Sequence, residues 1–270
     1  MRYAIRAQGW TTLVVLAACA VLIGLGVWQL QRLAQRRAFN ARVMQQLDAP
    51  PIMLNSDLTE LASRSARGLE ALSGLEYRAV VVRGEYDQSQ EVVLKNQTWQ
   101  EQRGVHLITP LRIAGSDHAV LVDRGWIPEA EAGTDQHGKF AEPGMIEVRG
   151  YIRQSQSPRL ATAAVNERQD AWFRVDTAAL QAQVSFPLLP FYIQAVPELA
   201  ANGRGVGATD PASARLPYRV PLDLELTEGK HLGYALTWFV LAAALALGYV
   251  RLIWKQLPRP LAVTATALFI

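Results

Sequence analysis

The stretch that most constrains this chain is His231–Val250, which reads HLGYALTWFVLAAALALGYV. It contains no charged residue from Leu232 to Val250, and at ~1.5 Å of rise per residue a helix of that length crosses a hydrocarbon core of ~30 Å. Lys230 precedes the stretch and Arg251 follows it. The sequence therefore predicts a transmembrane helix that begins at residue 231.

A second uncharged stretch, Thr11–Leu30, lies near the N-terminus, with Trp10 and Trp28 close to its ends. Tryptophans at both membrane interfaces are typical of a spanning helix. A cleaved signal peptide would have a shorter apolar core and a small-residue cleavage site near its end. The segment Leu16–Cys19 is similar to a lipoprotein cleavage box, but the sequence stays apolar beyond it. We interpret the stretch as an uncleaved signal anchor.

Three further patterns concern helices. Gln31–Leu47 is rich in helix formers and predicts an extension of the first helix, which Pro50-Pro51 ends. Asp57–Leu72 predicts another short helix. Pairs of small residues four positions apart favour close packing of the two membrane helices; they are Ala20/Gly24, Ala242/Ala246 and Ala244/Gly248.

The net charge of +3 is unevenly distributed along the chain. Between Asp57 and Glu228 there are 17 Lys and Arg residues against 23 Asp and Glu residues, a balance of −6. The basic excess therefore comes from residues that flank the apolar stretches. A nucleic-acid-binding surface would need clustered Lys and Arg on the folded domain, so we expect no nucleic-acid partner.

Basic residues near the membrane do not decide the orientation, because five lie on each side and long loops translocate largely regardless of charge. We favour both termini in the cytoplasm. The expected location is the plasma (inner) membrane, as a multi-pass protein in contact with the lipid bilayer. This predicts five regions: a cytoplasmic N-terminus (1–10), a transmembrane helix (11–30), an extracytoplasmic, periplasmic β-rich domain (31–230), a second transmembrane helix (231–253) and a cytoplasmic tail (254–270).

From Tyr77 onwards the sequence shows the pattern of β-strands. Five β-branched runs are bounded by Gly, Pro, Asn or Asp, as strands are; they cover residues 77–86, 91–96, 105–114, 118–127 and 145–153. Ala171–Val175 and Phe191–Val196 predict two more strands, with a short helix over Thr177–Val184 between them. Because no long helix separates the first five runs, antiparallel pairing is favoured. The predicted fold class is membrane α + β, with two terminal transmembrane helices flanking one mainly antiparallel β (α+β) domain.

No residue arrangement typical of an enzyme active site is visible in the sequence. The single cysteine, Cys19, excludes an intrachain disulfide. His106, His118 and His137 occur in separate segments, and we interpret them as surface or turn residues rather than metal ligands. The pattern Gly203-x-Gly205-x-x-Ala208 lacks the preceding strand and following helix of a dinucleotide site. We therefore predict that the protein is not an enzyme.

His231, Tyr234 and Trp238 are spaced at i, i+3 and i+7, so they share one helical face. A neutral imidazole at the mouth of a membrane helix can ligate haem iron, and the two aromatic rings would supply a flat apolar wall. The alternative is an interfacial histidine within the usual aromatic belt. Taken by themselves, these residues favour the alternative.

Three segments occur in order along the chain: GVWQLQRLAQR (Gly26–Arg36), VLVDRGWIP (Val120–Pro128) and HLGYALTWF (His231–Phe239). Together they closely resemble the surfeit locus protein 1 family, in a bacterial-type member. RGVHLITPL (Arg103–Leu111) and the two end helices around one external domain add to a resemblance that covers nearly the whole chain. Members of this family are assembly factors for haem-copper cytochrome c oxidase of the respiratory chain.

The resemblance implies a chaperone-like, non-enzymatic membrane assembly factor that binds or presents haem a for insertion into oxidase subunit I. Subunit I and the haem a synthesis machinery are its implied partners, and haem a is its implied cofactor. The family's proposed haem-iron ligand corresponds to His231, with Tyr234 and Trp238 beside it. The alternative is a haem-independent scaffold that stabilises an oxidase assembly intermediate.

The other motif residues are expected to have a structural role or to contact a partner. For Arg124, Gly125 and Trp126 we favour a strand-end turn over contact with a ligand. In that turn Gly125 would adopt positive φ and Trp126 would pack on the sheet. The complete set is Trp28, Gln29, Arg32, Gly104, Pro110, Arg124, Gly125, Trp126, Pro128 and Gly233.

Overall fold

The structure is a computed structural model that describes residues 2–65, 74–133, 137–156, 168–197, 216–222 and 224–256. The chain forms two compact units. One contains residues 1–40 and 226–270, and the other contains residues 41–225. Two apolar terminal helices flank a central β domain in the sequence, which confirms the predicted α+β class. The pattern Gly203-x-Gly205-x-x-Ala208 and most of the predicted tail lie outside the described residues.

Two long helices dominate the helical unit. Helix α1 spans Arg2–Asp48, and helix α4 spans His231–Gln256. Within them, Gly9–Asp48 and His231–Lys255 are long and apolar enough to cross a membrane, and only 6% of each apolar window is buried. A core helix of a soluble protein would bury its apolar face, whereas these helices expose it. The predicted extension of α1 beyond the apolar stretch is confirmed.

The two long helices pack closely through small residues, as predicted. Gly26 is buried, and a Cβ at this position would lie 2.6 Å from the ring of Phe239. Ala242 on α4 is also buried. The residues that make the contact differ in part from those predicted, because Gly24 and Gly248 face open space. A four-residue spacing identifies a helical face, but it does not show which face meets the partner helix.

In its described residues, the β domain contains eight strands and two short α-helices. The strands are β1 (Ile52–Met53), β2 (Ala79–Tyr86), β3 (Val92–Trp99), β4 (Gln102–Ile113), β5 (Ala119–Pro128), β6 (Ile146–Gln154), β7 (Ala171–Trp172) and β8 (Leu188–Ala195). The helices are α2 (Leu54–Ser65) and α3 (Thr177–Gln181), and 3₁₀ helices cover Gln88–Gln90, Glu129–Glu131 and His137–Phe140. All seven predicted strands are present, whereas the two-residue strand β1 was not predicted. Residues 66–72 of the helix predicted over Asp57–Leu72 lie outside the described residues.

The eight strands form one sheet in the order β1-β2-β6-β8-β5-β4-β3-β7, and β2 also pairs with β4. Strands β2, β6, β8, β5 and β4 therefore close into a ring. Five of the eight pairings are antiparallel, which confirms the predicted predominance. The parallel pairings are β1 with β2, β3 with β7, and β5 with β8.

Every strand of the ring contributes side chains to one hydrophobic core. Branched residues dominate it, and α2 adds Leu54, Leu58 and Leu61. Fully burying one such side chain contributes about 1.5–3 kcal/mol. Because side chains alternate along a strand, Val120 and Val122 point into this core. Arg124 continues the same alternation, so β5 directs a cation towards the interior.

Candidate functional site

His231 is the first residue of α4 and is half-buried. Its Nδ1 lies 2.9 Å from Oε1 of Gln29 on α1. Within the part of the chain that the structure describes, Nε2 has no hydrogen-bond partner. The contact therefore engages one ring nitrogen and leaves the other available to a ligand.

The ring edge that carries Nε2 is bordered by Gly229. This glycine has φ +68°, and a Cβ at this position would lie 3.5 Å from Nε2 and 3.4 Å from Cδ2 of His231. Any other side chain would therefore start in contact with that edge. Glycine tolerates this backbone conformation at no steric cost, and here it also keeps Nε2 uncovered.

Tyr234 and Trp238 follow His231 along one face of α4, as their spacing predicts. Tyr234 is 54% exposed, and Trp238 is half-buried. Gly233, also a motif residue, has open space where a Cβ would lie. The side chains of His231, Tyr234 and Trp238 thus form a strip that starts at the imidazole and runs along the uncharged part of the helix.

The motif residues of α1 lie close to the same end of the helical unit. The guanidinium of Arg32 lies 5.6 Å from the ring centroid of Trp28, a cation–π distance. Arg32 Nη1 also donates to Oε1 of Gln35 at 3.3 Å. Both motif side chains are exposed, so they are accessible to lipid or to a partner.

The segment that leads into α4 is bonded to α1. Arg37 donates two hydrogen bonds of 2.8 Å to the carboxylate of Glu228. Arg36 Nε donates to the carbonyl oxygen of Thr227 at 3.1 Å, and Asn40 donates to that of Leu226 at 2.9 Å. These bonds fix the residues that immediately precede Gly229 and His231.

The second group of motif residues lies in the β domain and is centred on Arg124. Its side chain is 1% exposed and pairs with the carboxylates of Glu91 at 2.7 Å and Glu142 at 3.0 Å. It also donates to the carbonyl oxygen of Phe140, and its guanidinium lies 4.8 Å from the ring centroid of Tyr86. Burial raises the pKa of Tyr86 far above its ordinary value. The two carboxylates neutralise the buried charge, and burial leaves Arg124 inaccessible to a ligand.

Arg124 is the extra residue of a β-bulge. Asp123 pairs with Ile108, and Gly125 pairs with Leu107, so Arg124 has no partner across the ladder. The sequence predicted a strand-end turn here, but β5 continues to Pro128. Over the paired stretch β5 has one residue more than β4, and the pairing continues on both sides of it. The additional residue therefore forms a bulge rather than a turn.

Gly125 has φ +123°, the positive value expected of it. A Cβ there would lie 2.3 Å from the carbonyl oxygen of Tyr218, so no other residue fits without backbone movement. Trp126 is buried and exchanges two backbone hydrogen bonds with Tyr218, of 2.8 and 2.7 Å. Its indole packs over Gly104, where a Cβ would lie 2.3 Å from Nε1.

The two motif prolines lie in the paired strands β4 and β5. Pro110 pairs with Leu121, and Pro128 pairs with Gly104. Pro110 is buried, and its carbonyl oxygen accepts a hydrogen bond from the backbone N–H of Asp87 at 2.9 Å. The motif residues of this domain therefore stabilise the pairing of β4 with β5 and the neighbouring segments that hydrogen-bond to these strands.

His106 was interpreted as a surface or turn residue, and that interpretation is wrong. It lies in β4, its side chain is 14% exposed, and its Nδ1 lies 2.9 Å from each carboxylate oxygen of Asp123. Burial alone would lower the pKa of His106, but the charge and hydrogen bonds of Asp123 together outweigh burial and raise it. His118 does lie in the turn between β4 and β5, and His137 begins a 3₁₀ helix.

Little in the sequence indicated that His106 and Asp123 would form a pair. Asp123 and Trp126 are three residues apart, so in a regular strand they would point to opposite faces. The bulge at Arg124 restores them to the same face, where His106 pairs with Trp126 across the ladder. Without knowledge of the bulge, alternation along β5 does not bring Asp123 to His106.

The predicted site residues thus fall into two groups, one in each compact unit. His231, Tyr234, Trp238, Trp28, Gln29, Arg32 and Gly233 belong to the helical unit, and the remaining motif residues belong to the β domain. Among the described residues there is no group of three or more His, Cys, Asp or Glu side chains that could hold a metal ion.

Comparison with known families agrees with this arrangement. The model of the SURF1 family matches residues 16–243, which includes most of α1, the β domain and the first half of α4. The chain belongs to the SURF1 family. Membership of the SURF1 family implies a role in cytochrome c oxidase assembly, and the SURF1 family is one of assembly factors. With bacterial relatives, the two apolar helices indicate a membrane protein.

Similar SURF1 family proteins occur in distant organisms. The chain is 28% identical to a SURF1-like protein of Rickettsia felis, over 89% of this chain and 95% of that protein. It is 26% identical to surfeit locus protein 1 of Arabidopsis thaliana, over 94% of this chain and 81% of the relative. A SURF1-like protein of Monosiga brevicollis is 25% identical, with 85% and 82% of the two chains covered.

Proposed function

We propose that this SURF1 family protein binds haem a through His231 and presents it for insertion into subunit I of cytochrome c oxidase. The observation that carries the proposal is the contact of 2.9 Å between His231 Nδ1 and Gln29 Oε1. Among the described residues it leaves Nε2 without a hydrogen-bond partner, at the start of a helix that is uncharged for the next nineteen residues. Haem a is cargo in this account, and the protein performs no chemistry on it.

The residues present would hold haem iron through the imidazole of His231. A metal-binding histidine usually donates the hydrogen of its other ring nitrogen to an oxygen acceptor, and Gln29 provides that acceptor. Gly229 leaves the Nε2 edge uncovered. Tyr234 and Trp238 supply an apolar surface beside it for a flat, amphipathic macrocycle.

Placement in the membrane would also help the protein to present haem a to subunit I. Two spanning helices confine the protein to the plane in which subunit I and the haem a synthesis machinery lie, which raises the effective concentration of both partners. We place the protein in the plasma (inner) membrane with its termini in the cytoplasm and its β domain on the periplasmic side. A periplasmic reporter enzyme fused after Glu60 is expected to be active, and activity of a cytoplasmic reporter there would contradict this orientation.

The experiment that tests the function is complementation of a deletion strain that depends on the oxidase. Membranes from cells with wild-type protein are expected to regain the haem a absorption band of the oxidase, and cells with His231→Ala are expected to lack most of it. His118→Ala, which changes a histidine in the β4–β5 turn, is the matched control. Immunoblots have to show equal amounts of all three proteins.

Full complementation by His231→Ala would contradict the haem proposal and favour the haem-independent scaffold. Two exposed aromatic side chains support that alternative. Exposed aromatic side chains, such as Trp28 at 48% and Tyr234 at 54% exposure, would suit contact with another membrane protein. The oxidase intermediate would then be stabilised through these surfaces, and a variant such as Trp28→Ala would lose complementation while His231→Ala retained it.

A further inference from the structure

The contact between Gln29 and His231 is part of a repeated register between α1 and α4. The helices run antiparallel, and side chains of α1 contact α4 at three levels along their length, at the middle level through a backbone carbonyl oxygen of α4. The meeting pairs are Thr12 with Tyr249, Cys19 with Ala242, and Gln29 with His231. Gly26, three residues before Gln29, allows the close approach because a Cβ there would lie 2.6 Å from the ring of Phe239. Helix packing therefore sets the position of Gln29 relative to the imidazole.

The orientation of the Gln29 amide decides which nitrogen of His231 carries the hydrogen. A neutral imidazole has one N–H donor and one acceptor nitrogen, whereas an amide has an acceptor oxygen and a donor NH₂. With Oε1 towards the ring, Nδ1 carries the hydrogen, and Nε2 keeps its lone pair. The reverse amide orientation would place the hydrogen on Nε2, at the edge that Gly229 leaves open.

The oxygen acceptor beside the His231 ring is uncharged, unlike the acceptor beside His106. His106 in the β domain faces a carboxylate, and the charge of Asp123 favours its doubly protonated form. An imidazolium has no lone pair and does not coordinate a metal. Gln29 offers an oxygen acceptor without a negative charge, so the contact that fixes the tautomer of His231 places no anion beside the ring.

We propose that Gln29 is a positioning residue that holds His231 in its Nδ1–H tautomer and thereby makes Nε2 the atom that coordinates haem iron. The purpose of the tautomer rests on the proposed function, but the tautomer itself is a property of the haem-free protein. It can therefore be measured separately from haem binding.

The first measurement is nitrogen-15 NMR of histidine-labelled full-length protein in detergent micelles without haem. His231→Ala identifies the signals of His231 by their loss. In the wild type we expect Nδ1 to be protonated and Nε2 to be an acceptor. Gln29→Leu removes the acceptor and is expected to give a mixture of tautomers, whereas Gln31→Leu, at an exposed glutamine of the same helix, is expected to leave the wild-type pattern.

The second measurement is titration of the same proteins with iron protoporphyrin IX, followed by the Soret absorption band. Loss of an outer partner of a metal ligand typically lowers affinity about 10–100-fold, and we expect that loss in Gln29→Leu. Gln29→Glu keeps an oxygen acceptor and is expected to restore most of the affinity at pH 8. Gln31→Leu is expected to bind as the wild type does.

The outcomes separate the two proposals. If the wild type shows the Nδ1–H tautomer, lost in Gln29→Leu, but binds no porphyrin, Gln29 sets the tautomer and the haem proposal fails. If the wild type binds porphyrin through His231 and Gln29→Leu binds equally well, the inference about Gln29 is wrong. A wild-type ring protonated at Nε2 would also overturn it.

Discussion

Two histidines, one in each unit of the molecule, make the same kind of contact with partners of different charge. His231 in the helical unit and His106 in the β domain each place Nδ1 at 2.9 Å from a side-chain oxygen. The partner of His231 is the neutral amide of Gln29, and the partner of His106 is the carboxylate of Asp123. The same geometry therefore joins a histidine to an uncharged amide in one unit and to a carboxylate in the other.

The surroundings of the two rings differ as much as their partners do. His106 is enclosed by paired strands, and Asp123 also accepts a hydrogen bond from the backbone N–H of Gly125 at 3.1 Å. His231 begins a helix beside a glycine that leaves its second nitrogen uncovered. A residue that matches the family motif is thus not in itself a binding residue, since the buried Arg124 network stabilises the sheet, whereas Gly229 leaves Nε2 of His231 uncovered.

The largest effect is expected from breaking the charge network of the β domain. Arg124→Met leaves the buried carboxylate of Glu91 without its cation, and removal of one partner of a buried pair costs about 3–5 kcal/mol. We expect the free energy of unfolding of the β domain, from denaturant titration followed by near-UV circular dichroism, to fall by that amount. Arg149→Met, at an exposed pair with Glu147, is the control and is expected to change it by less than about 1 kcal/mol. An equal loss in both variants would contradict the network.

A smaller effect is expected at the contact between the two long helices. Gly26→Ala places a methyl group against Phe239, and overpacking of this kind costs typically 1–3 kcal/mol. The matched control is Gly24→Ala, because Gly24 lies two residues away and faces open space. In thermal unfolding in detergent, Gly26→Ala is expected to be less stable than Gly24→Ala by roughly 1–2 kcal/mol, towards the low end because the ring can move. Equal stability would show that the helices do not meet at Gly26.

The smallest effect is a pH dependence that comes from the β domain alone. The pKa of His106 is raised in the folded state, so its ion pair stabilises the fold fully below the unfolded pKa of about 6.5. That contribution is lost as the pH rises through the folded pKa, at about 1.4 kcal/mol for each pKa unit of difference. Denaturant titrations between pH 6 and pH 9 are expected to show this decline in the wild type and a shallower one in His106→Gln. An unchanged slope would mean that another group titrates.

The sequence predicted the parts of this structure that depend on local pattern. Uninterrupted apolar residues indicated both long helices, and alternation indicated the strands of the ring. The closure of the ring by pairing of β2 with β4 joins residues far apart in the sequence, and no local pattern encodes it. The bulge at Arg124 and the pair of His106 with Asp123 were missed for a related reason, because one additional residue reverses the alternation on which the prediction depends.

For the candidate site, the sequence identified Gln29 and His231 separately but not their contact. Each lies near the polar end of its apolar stretch, a depth that two antiparallel helices would share. The register that brings them together depends on which helical faces pack. Gly26 and Ala242 determine those faces, whereas the predicted small residues Gly24 and Gly248 point away.

The most direct test of the roles assigned to His231 and His106 is the haem content of purified protein from cells that make haem a. We expect the wild type and His106→Gln to carry haem a in the same molar ratio, and His231→Gln to carry little or none, with near-UV circular dichroism confirming that all three proteins are folded. Haem retained at the wild-type ratio in His231→Gln, or lost only in His106→Gln, would contradict the assignment of the two histidines.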